Sequence, residues 1–479
     1  MNSTQKSPAK GAEQLMNDPI GFFDRSVKKM HSIDRNELEA LQRQAMSMRF
    51  KEHYDSIVML RNLADRLGIT SVDSFDDLVP LLFPHTAFKS YPPSLLEKLQ
   101  FDKMTAWLNR ITSYDISRVD VAGCKSIDEW IDRLDEETPL ELVTSSGTTG
   151  TISLIPKSKH GSAYSMEIWK MFLFQKGDAD ITEEEMNPEV DVIWPNFSRG
   201  KLGILRLANM LRTAFTGGDE SRFHALYESS IDTDLMFLAS KMRAAASRGE
   251  LDRLKIDPRL LARRDEFIAM QERRPQEMNA FFEKMTRELA GKRVFAQGSL
   301  NVLYDIAAAG LERGISGVFA PNSEILTSGG GKGVEMPENF MEVITSFFGV
   351  ERIHEGYGMT EISALHWGCE YGHYHVQPWV IPFLLDPQTS EPLPRKGTQT
   401  GRAAFYDFLN ESHWGGVISG DEITIDWDTP CPCGQNSVFI HHDIVRYSDK
   451  EGIEDDRISC AATAQVNDEA INFMRGFEA

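Results

Sequence analysis

Between residues 190 and 358 the chain alternates short apolar runs with longer helical stretches. VDVIWP (190–195), KRVFAQ (292–297), EILTSGG (324–330) and RIHEGYG (352–358) read as strands, and a helix is expected from about Leu300 to Arg313. Strands that alternate with helices build parallel sheets, so the fold class expected is α/β with a largely parallel sheet. LELVTSS (140–146) adds a further short strand, and from Gly401 onward GRAAFYDFL and GDEITIDWD read as antiparallel strands. Before Leu140 the pattern is helical. Apolar residues recur at three- and four-residue steps from about Asp18 to Leu67, with Gly68 as a stop, Ser74 as a cap for a short helix, and another helix over 126–134. Residues 1–14 are expected to be a disordered lead, and the charged stretch 232–290 a solvated helical insertion.

The charge balance narrows the partners. Lys plus Arg number 51 against 72 Asp plus Glu, a formal net charge of −21 over 479 residues. That argues against the phosphate-neutralising surface of a nucleic-acid binder and against docking on anionic lipid. It leaves room for a local basic pocket. Apolar runs stay short of the roughly 18 residues that cross a bilayer, and the start is polar, so a cytoplasmic protein without membrane or nucleic-acid partners is expected. The five cysteines, Cys124, Cys369, Cys431, Cys433 and Cys460, are an odd set with no disulfide framework.

The strand ending at Thr144 runs into Ser145-Ser146-Gly147-Thr148-Thr149-Gly150. Its glycines allow unusual backbone angles, and its hydroxyls and N–H groups suit phosphate oxygens. It lacks the Walker pattern, and a surface turn is the plain alternative. This segment resembles the phosphate loop of the adenylate-forming superfamily of acyl-CoA ligases, peptide-synthetase adenylation domains and luciferases. Ser328-Gly329-Gly330-Gly331 resembles its adenine loop, Tyr357-Gly358-Met359-Thr360-Glu361 its Tyr-Gly-x-Thr-Glu motif, and Ser419-Gly420-Asp421 its Thr/Ser-Gly-Asp motif. The order and spacings fit over about Leu140 to Arg457.

The resemblance implies roles. Ser145, Ser146, Thr148 and Thr149, with Gly147 and Gly150, would hold the β- and γ-phosphates of ATP. Thr360 would contact the α-phosphate, and Glu361 would bind Mg²⁺, a hard ion suited to a carboxylate. Asp421 would accept from the ribose hydroxyls, Tyr357 would stack on adenine beside Gly358, and Arg446 counts with the nucleotide contacts. Taken singly, Glu361 and Asp421 read first as solvated surface carboxylates. The chemistry implied is activation of a carboxylic acid as its acyl-AMP with release of pyrophosphate, then acyl transfer to a thiol: coenzyme A, a carrier protein, a partner enzyme or an enzyme cysteine. Capture of the adenylate by an amine, or nucleotide binding without catalysis, are the alternatives.

Cys369, His375, Cys431 and Cys433 supply three thiolates and one imidazole, a set that suits a closed structural zinc site. His373, two residues before His375, competes as a ligand, and buried core cysteines are the alternative. A Cys/His pair just after Tyr-Gly-x-Thr-Glu, joined by Cys-x-Cys-Gly, is similar to the phenylacetate–CoA ligase branch, and the N-terminal helical region to the acyl-protein synthetase of bacterial bioluminescence.

The resemblance divides the chain into a helical N-terminal segment of the large domain (1–139), an adenylate-forming core (140–445), and a hinge with a C-terminal stub (446–479). Typical members end in a mobile domain of about 100 residues bearing a catalytic lysine. Here Arg446-Tyr447-Ser448-Asp449 and Glu454-Asp455-Asp456-Arg457 resemble degenerate hinges, 22 residues follow Arg457, and no lysine follows Lys450. Lys332 and Lys157 offer charge instead, though both read first as solvent-exposed lysines. Cys460 matches the place of an acyl-accepting cysteine, but its acidic neighbours Asp455 and Asp456 oppose a low pKa, and a structural cysteine is the alternative. For the acid pocket, segments 192–200, 215–220 and 296–306 are expected as walls, with Trp194, Phe197 and Tyr304 suited to a flat aromatic or chain-like acid. His354 is a candidate polar contact there; a buried, hydrogen-bonded histidine is the alternative.

Overall fold

A computed structural model describes residues 8–145, 150–175, 181–328, 336–447 and 464–477. Its centre is one mixed sheet, thirteen-stranded among the described residues. Five strands run parallel in the order Phe223–Ser230, Asp191–Arg199, Val294–Gly298, Glu324–Ser328 and His354–Tyr357. These are the apolar runs of the sequence, joined by a strand not anticipated, Phe223–Ser230. Beyond Tyr357 the direction alternates: His366–Gly368, Tyr374–His375, Phe439–Ile440, Gly416–Asp426, Thr398–Asp407 and Val380–Leu385 pair antiparallel. The class is therefore mixed α/β, with the sheet only half parallel. Among the described residues, no helix is long and apolar enough to cross a membrane.

The helix Leu300–Glu312 crosses between two parallel strands and packs on Phe340–Phe348. Gly310 faces Phe347 so closely that a Cβ there would lie 2.1 Å from the ring, which excludes any larger residue. The N-terminal helices cover the antiparallel half. Gln42 in the helix Arg35–Ser56 donates to the carbonyls of Pro378 and Val380 at 2.9 and 3.2 Å.

Two expectations fail. From Pro8 the expected disordered lead is a helix, Pro8–Asn17, because Ala12, Leu15 and Met16 at helical spacing bury themselves in the N-terminal core cluster. The stretch 232–290 is helical, but it is solvated on one side only. Leu235, Met236, Leu238 and Ala239 of the helix Thr233–Ser247 join Ala470, Ile471 and Met474 of the helix Ala464–Met474 in one apolar cluster. Two of its arginines pair with that helix, Arg243 meeting Glu469 at 3.0 Å and Arg274 meeting Asp468, while others of its charges, such as Asp265 and Arg287, face water.

Candidate functional site

The strand Leu140–Ser145 is not part of the large sheet. It forms a separate hairpin with Ser153–Ser158, tied to the parallel half where Thr144 N donates to the Lys201 carbonyl at 2.8 Å. Ser145 ends the first strand of this hairpin, and Gly150 comes shortly before the second. Gly150 takes φ +86°, a left-handed conformation that favours glycine. Ser146, Gly147, Thr148 and Thr149 lie outside the described residues, as do Gly329, Gly330, Gly331, Lys332 and Cys460. Ser328 ends its strand directly opposite Gly356, the residue before Tyr357.

The Tyr-Gly-x-Thr-Glu segment leaves the sheet at Tyr357 and turns across the end of the parallel half. Thr360 sits against Gly203, where a Cβ would stand 3.1 Å from both its methyl and its hydroxyl. Three residues that sequence reasoning missed hold this turn. Asp407, 1% exposed, accepts from Ser363 N at 2.7 Å and Ala364 N at 2.9 Å through one oxygen, and from Leu409 N at 2.9 Å through the other. Asn410 Nδ2 lies 2.9 Å, and His413 Nε2 3.2 Å, from the Glu361 carbonyl. Their only signal was the run Asp407-Phe-Leu-Asn410-Glu-Ser-His413, which reads as an ordinary strand end. Asp407→Ala leaves three N–H donors, one buried and two partly buried, without an acceptor. It is expected to lower stability by about 3 kcal/mol in urea unfolding, with lost activity following from the freed turn.

Glu361 is 6% exposed, and burial pushes its carboxyl upward, opposed by the charge of Lys157. Lys157 is half-buried, not the solvent-exposed lysine expected. Burial lowers it to about 8, against the pull of Asp407 and Glu361.

Asp421 stands at a bulge. Between Arg402 and Ala404 one strand advances two residues, while its partner advances four, from Glu422 to Ile418. Such bulges re-aim side chains. Tyr357 Oη donates to Asp421 Oδ2 at 2.9 Å, and Ser419 Oγ donates to the same oxygen at 3.1 Å. Arg446 lies opposite Asp421 in the neighbouring strand pair, its Nε 3.7 Å from Oδ1. Residues 357, 419, 421 and 446 are thus brought together. The Tyr357 ring is itself buried, near His366 and Phe405 at centroid distances of about 6.1 Å each.

Beside the turn opens a cavity of about 710 Å³ whose wall includes Ser145, Lys157 and Gly358 to Thr360. Its remainder is mainly apolar, with Met166, Trp169, Trp194, Met210, Phe281 and Met285 prominent. Of the walls expected, 194–196 and several residues of 297–306 take part, whereas 215–220 does not. Phe197 instead packs on Tyr227 at 4.8 Å, and Tyr304 joins the core around Phe347. His354 is bound to Glu324 at 2.8 Å and does not line the cavity, because its strand position turns it toward the neighbouring strand.

The sulfur and imidazole cluster forms where two antiparallel strands meet. The ligand atoms of Cys369, His375, Cys431 and Cys433 all lie within 4.8 Å of one another. Cys369 Sγ and Cys431 Sγ are 3.8 Å apart, the ~3.8 Å that two thiolates keep on one tetrahedral ion at about 2.3 Å each. His375 turns Nε2 toward Cys433 Sγ at 3.2 Å, while its Nδ1 meets Ser437 Oγ at 2.8 Å. His373 stays outside this set: it stacks on Phe439 at 4.2 Å and points Nδ1 at the Cys431 sulfur. The donor set and spacing fit a closed, four-coordinate cation site.

No protein-family model matches the sequence, and no curated protein matches it. Solved structures with a similar trace include an open conformation of 2-hydroxyisobutyryl-CoA ligase with 2-HIB-AMP and CoA. It is 13% identical over 89% of this chain and 79% of that one, at a TM-score of 0.45. The same ligase in a postadenylation state with R3-HIB-AMP is 12% identical over 90% and 73%, at 0.48. ATP-bound MatB from Rhodopseudomonas palustris is 16% identical over 64% and 47%, at 0.34.

Proposed function

We propose that the protein is an adenylate-forming ligase: it joins a carboxylic acid to the α-phosphate of ATP, releases pyrophosphate, and passes the acyl group to a thiol. The observation that carries this is the meeting of four segments far apart in sequence. The hairpin around Ser145 and Gly150, the turn with Thr360 and Glu361, the bulge with Asp421, and Arg446 gather around one end of the sheet, beside an apolar cavity. Both reactants are anions, so the site must hold them together and offset their charge.

In this reading Ser145 to Gly150 wrap the terminal phosphates, Thr360 meets the α-phosphate, and the acid's body occupies the cavity. Asp421, oriented by Tyr357 and Ser419, accepts from the ribose, with Arg446 beside it. Glu361 would hold Mg²⁺, which would neutralise phosphate oxygens when bound. Cys369, His375, Cys431 and Cys433 would hold Zn²⁺ as a structural tie between the strand after the Tyr357 turn and the strands around Asp421.

Asp421→Ala is expected to weaken ATP binding by about 1.5–3 kcal/mol for each charge-assisted hydrogen bond lost, read by calorimetry. Wild-type affinity in that variant contradicts the role. ATP–pyrophosphate exchange with octanoate, laurate, benzoate and phenylacetate tests the activity itself. Exchange that depends on one acid supports the reading, and its absence with every acid at saturating Mg-ATP sinks it. Product mass with coenzyme A or an amine supplied then identifies the acceptor.

A further inference from the structure

Lys157 occupies the strand Ser153–Ser158, opposite Glu141 across the hairpin, and reaches the cavity wall. Its Nζ donates to Ser363 Oγ over a long 3.4 Å, and that hydroxyl donates onward to Asn410 Oδ1 at 2.7 Å. Asp407, the nearby buried carboxylate, is already satisfied by three backbone N–H groups, so it does not by itself explain a lysine here.

Arg206 and Arg313 also touch the cavity. Arg206 is committed elsewhere: it donates to the Leu142 carbonyl at 2.7 Å, binds Asp135, and lies 3.6 Å from Glu141. Arg313, just past the end of the helix Leu300–Glu312, is exposed and stacks over Phe282 at 4.5 Å. Of these three cations, Lys157 is the one whose charge acts on the Thr360–Glu361 turn.

A half-buried ammonium held, among the described residues, by one long hydrogen bond to a hydroxyl is poised for an anion. Fixed charge in a water-poor cleft is worth more than the same charge in water, and needs no rearrangement when the reaction starts. Resting on the acid-activating reading above, we propose that Lys157 is a catalytic residue that holds the acid's carboxylate against the α-phosphate and offsets the charge developing between them. A carboxylate oxygen forms its bond to the α-phosphorus. The bond from that phosphorus to the bridging oxygen breaks, and pyrophosphate leaves with the electron pair. No proton moves, and Lys157 ends the step charged, as it began. A lysine that merely balances Glu361 and Asp407 would matter to folding and not to this step.

The test compares the wild type with Lys157→Gln and Lys157→Arg in ATP–pyrophosphate exchange, urea unfolding and ATP binding. Lys157→Gln is expected to lower exchange by about 10²- to 10³-fold. Its kcat should fall and its KM for the acid rise, while the ATP Kd and the unfolding midpoint stay within a few-fold and a few tenths of a molar. Lys157→Arg should recover much of the rate, because it restores the charge. A readout independent of turnover is acetylation of Lys157 by acetic anhydride followed by peptide mass analysis: ATP together with laurate should protect it more than ATP alone. Exchange in Lys157→Gln near the wild-type rate, or a loss that tracks lowered stability and is not rescued by arginine, overturns the proposal while leaving acid activation standing. Wild-type protein without exchange, and without protection of Lys157, overturns both.

Discussion

Glu361→Gln should lower acid-dependent pyrophosphate exchange by about 10³-fold, with the turn that carries it intact. The substitution keeps the shape of the side chain. The backbone carbonyl of residue 361 stays fixed by Asn410 and His413, and Asp407 continues to hold the amides of Ser363 and Ala364. What is lost is the negative charge, and with it the hard ligand for a divalent cation next to Thr360. Burial at 6% exposure makes the loss severe, because water cannot take the place of the carboxylate. ATP binding measured without magnesium should change little, and the magnesium-dependent gain in affinity should vanish. Exchange at the wild-type rate in the Glu361→Gln variant removes Glu361 from the chemistry.

Cys433→Ser should reduce bound zinc to well under one ion per chain and lower stability by roughly 3 kcal/mol or more. The effect should spread beyond the knuckle. Ser437 hydrogen-bonds His375 at 2.8 Å and His31 at 3.0 Å, and Asn436 N donates to the His31 carbonyl at 2.8 Å. The cluster therefore ties the short helix Val27–Met30 to the strands that present Asp421. Faster amide exchange in segments 26–32 and 431–442, with unchanged preference among acids, is the expected pattern. Zinc-replete Cys433→Ser protein contradicts the ligand assignment, and altered acid preference contradicts a purely structural ion.

The parts of this molecule written in local chemistry were readable from the chain. VDVIWP, KRVFAQ and EILTS are parallel neighbours because runs of that kind are stable only when covered on both faces. Ser74 caps its short helix as expected, and the helix expected over 126–134 is present as Ile127–Glu137. The cysteine and histidine spacing marked a cluster that the fold does assemble. What stayed hidden depends on long-range burial. Charge density between 232 and 290 suggested a wholly solvated surface, yet Arg243 and Arg274 find carboxylates on a helix some two hundred residues later and one apolar face packs against it. Lys157 looked like a surface lysine because nothing within ten residues of it reveals the turn at 360–364 that covers it. Asp407, Asn410 and His413 were silent for the same reason: their partners are backbone atoms some fifty residues away, and a backbone atom leaves no mark in a sequence.

Transfer of oxygen from acid to nucleotide tests the central claim most directly. The protein is incubated with ATP, magnesium, coenzyme A and laurate labelled with ¹⁸O in both carboxylate oxygens, with the other acids of the exchange panel run in parallel. If a carboxylate oxygen attacks the α-phosphorus and the acyl group then moves to a thiol, that oxygen stays behind on phosphorus. The account predicts AMP carrying one ¹⁸O, unlabelled pyrophosphate, and an acyl thioester. Label in inorganic phosphate with ADP as the nucleotide product, or AMP formed without label while acid is consumed, would contradict it.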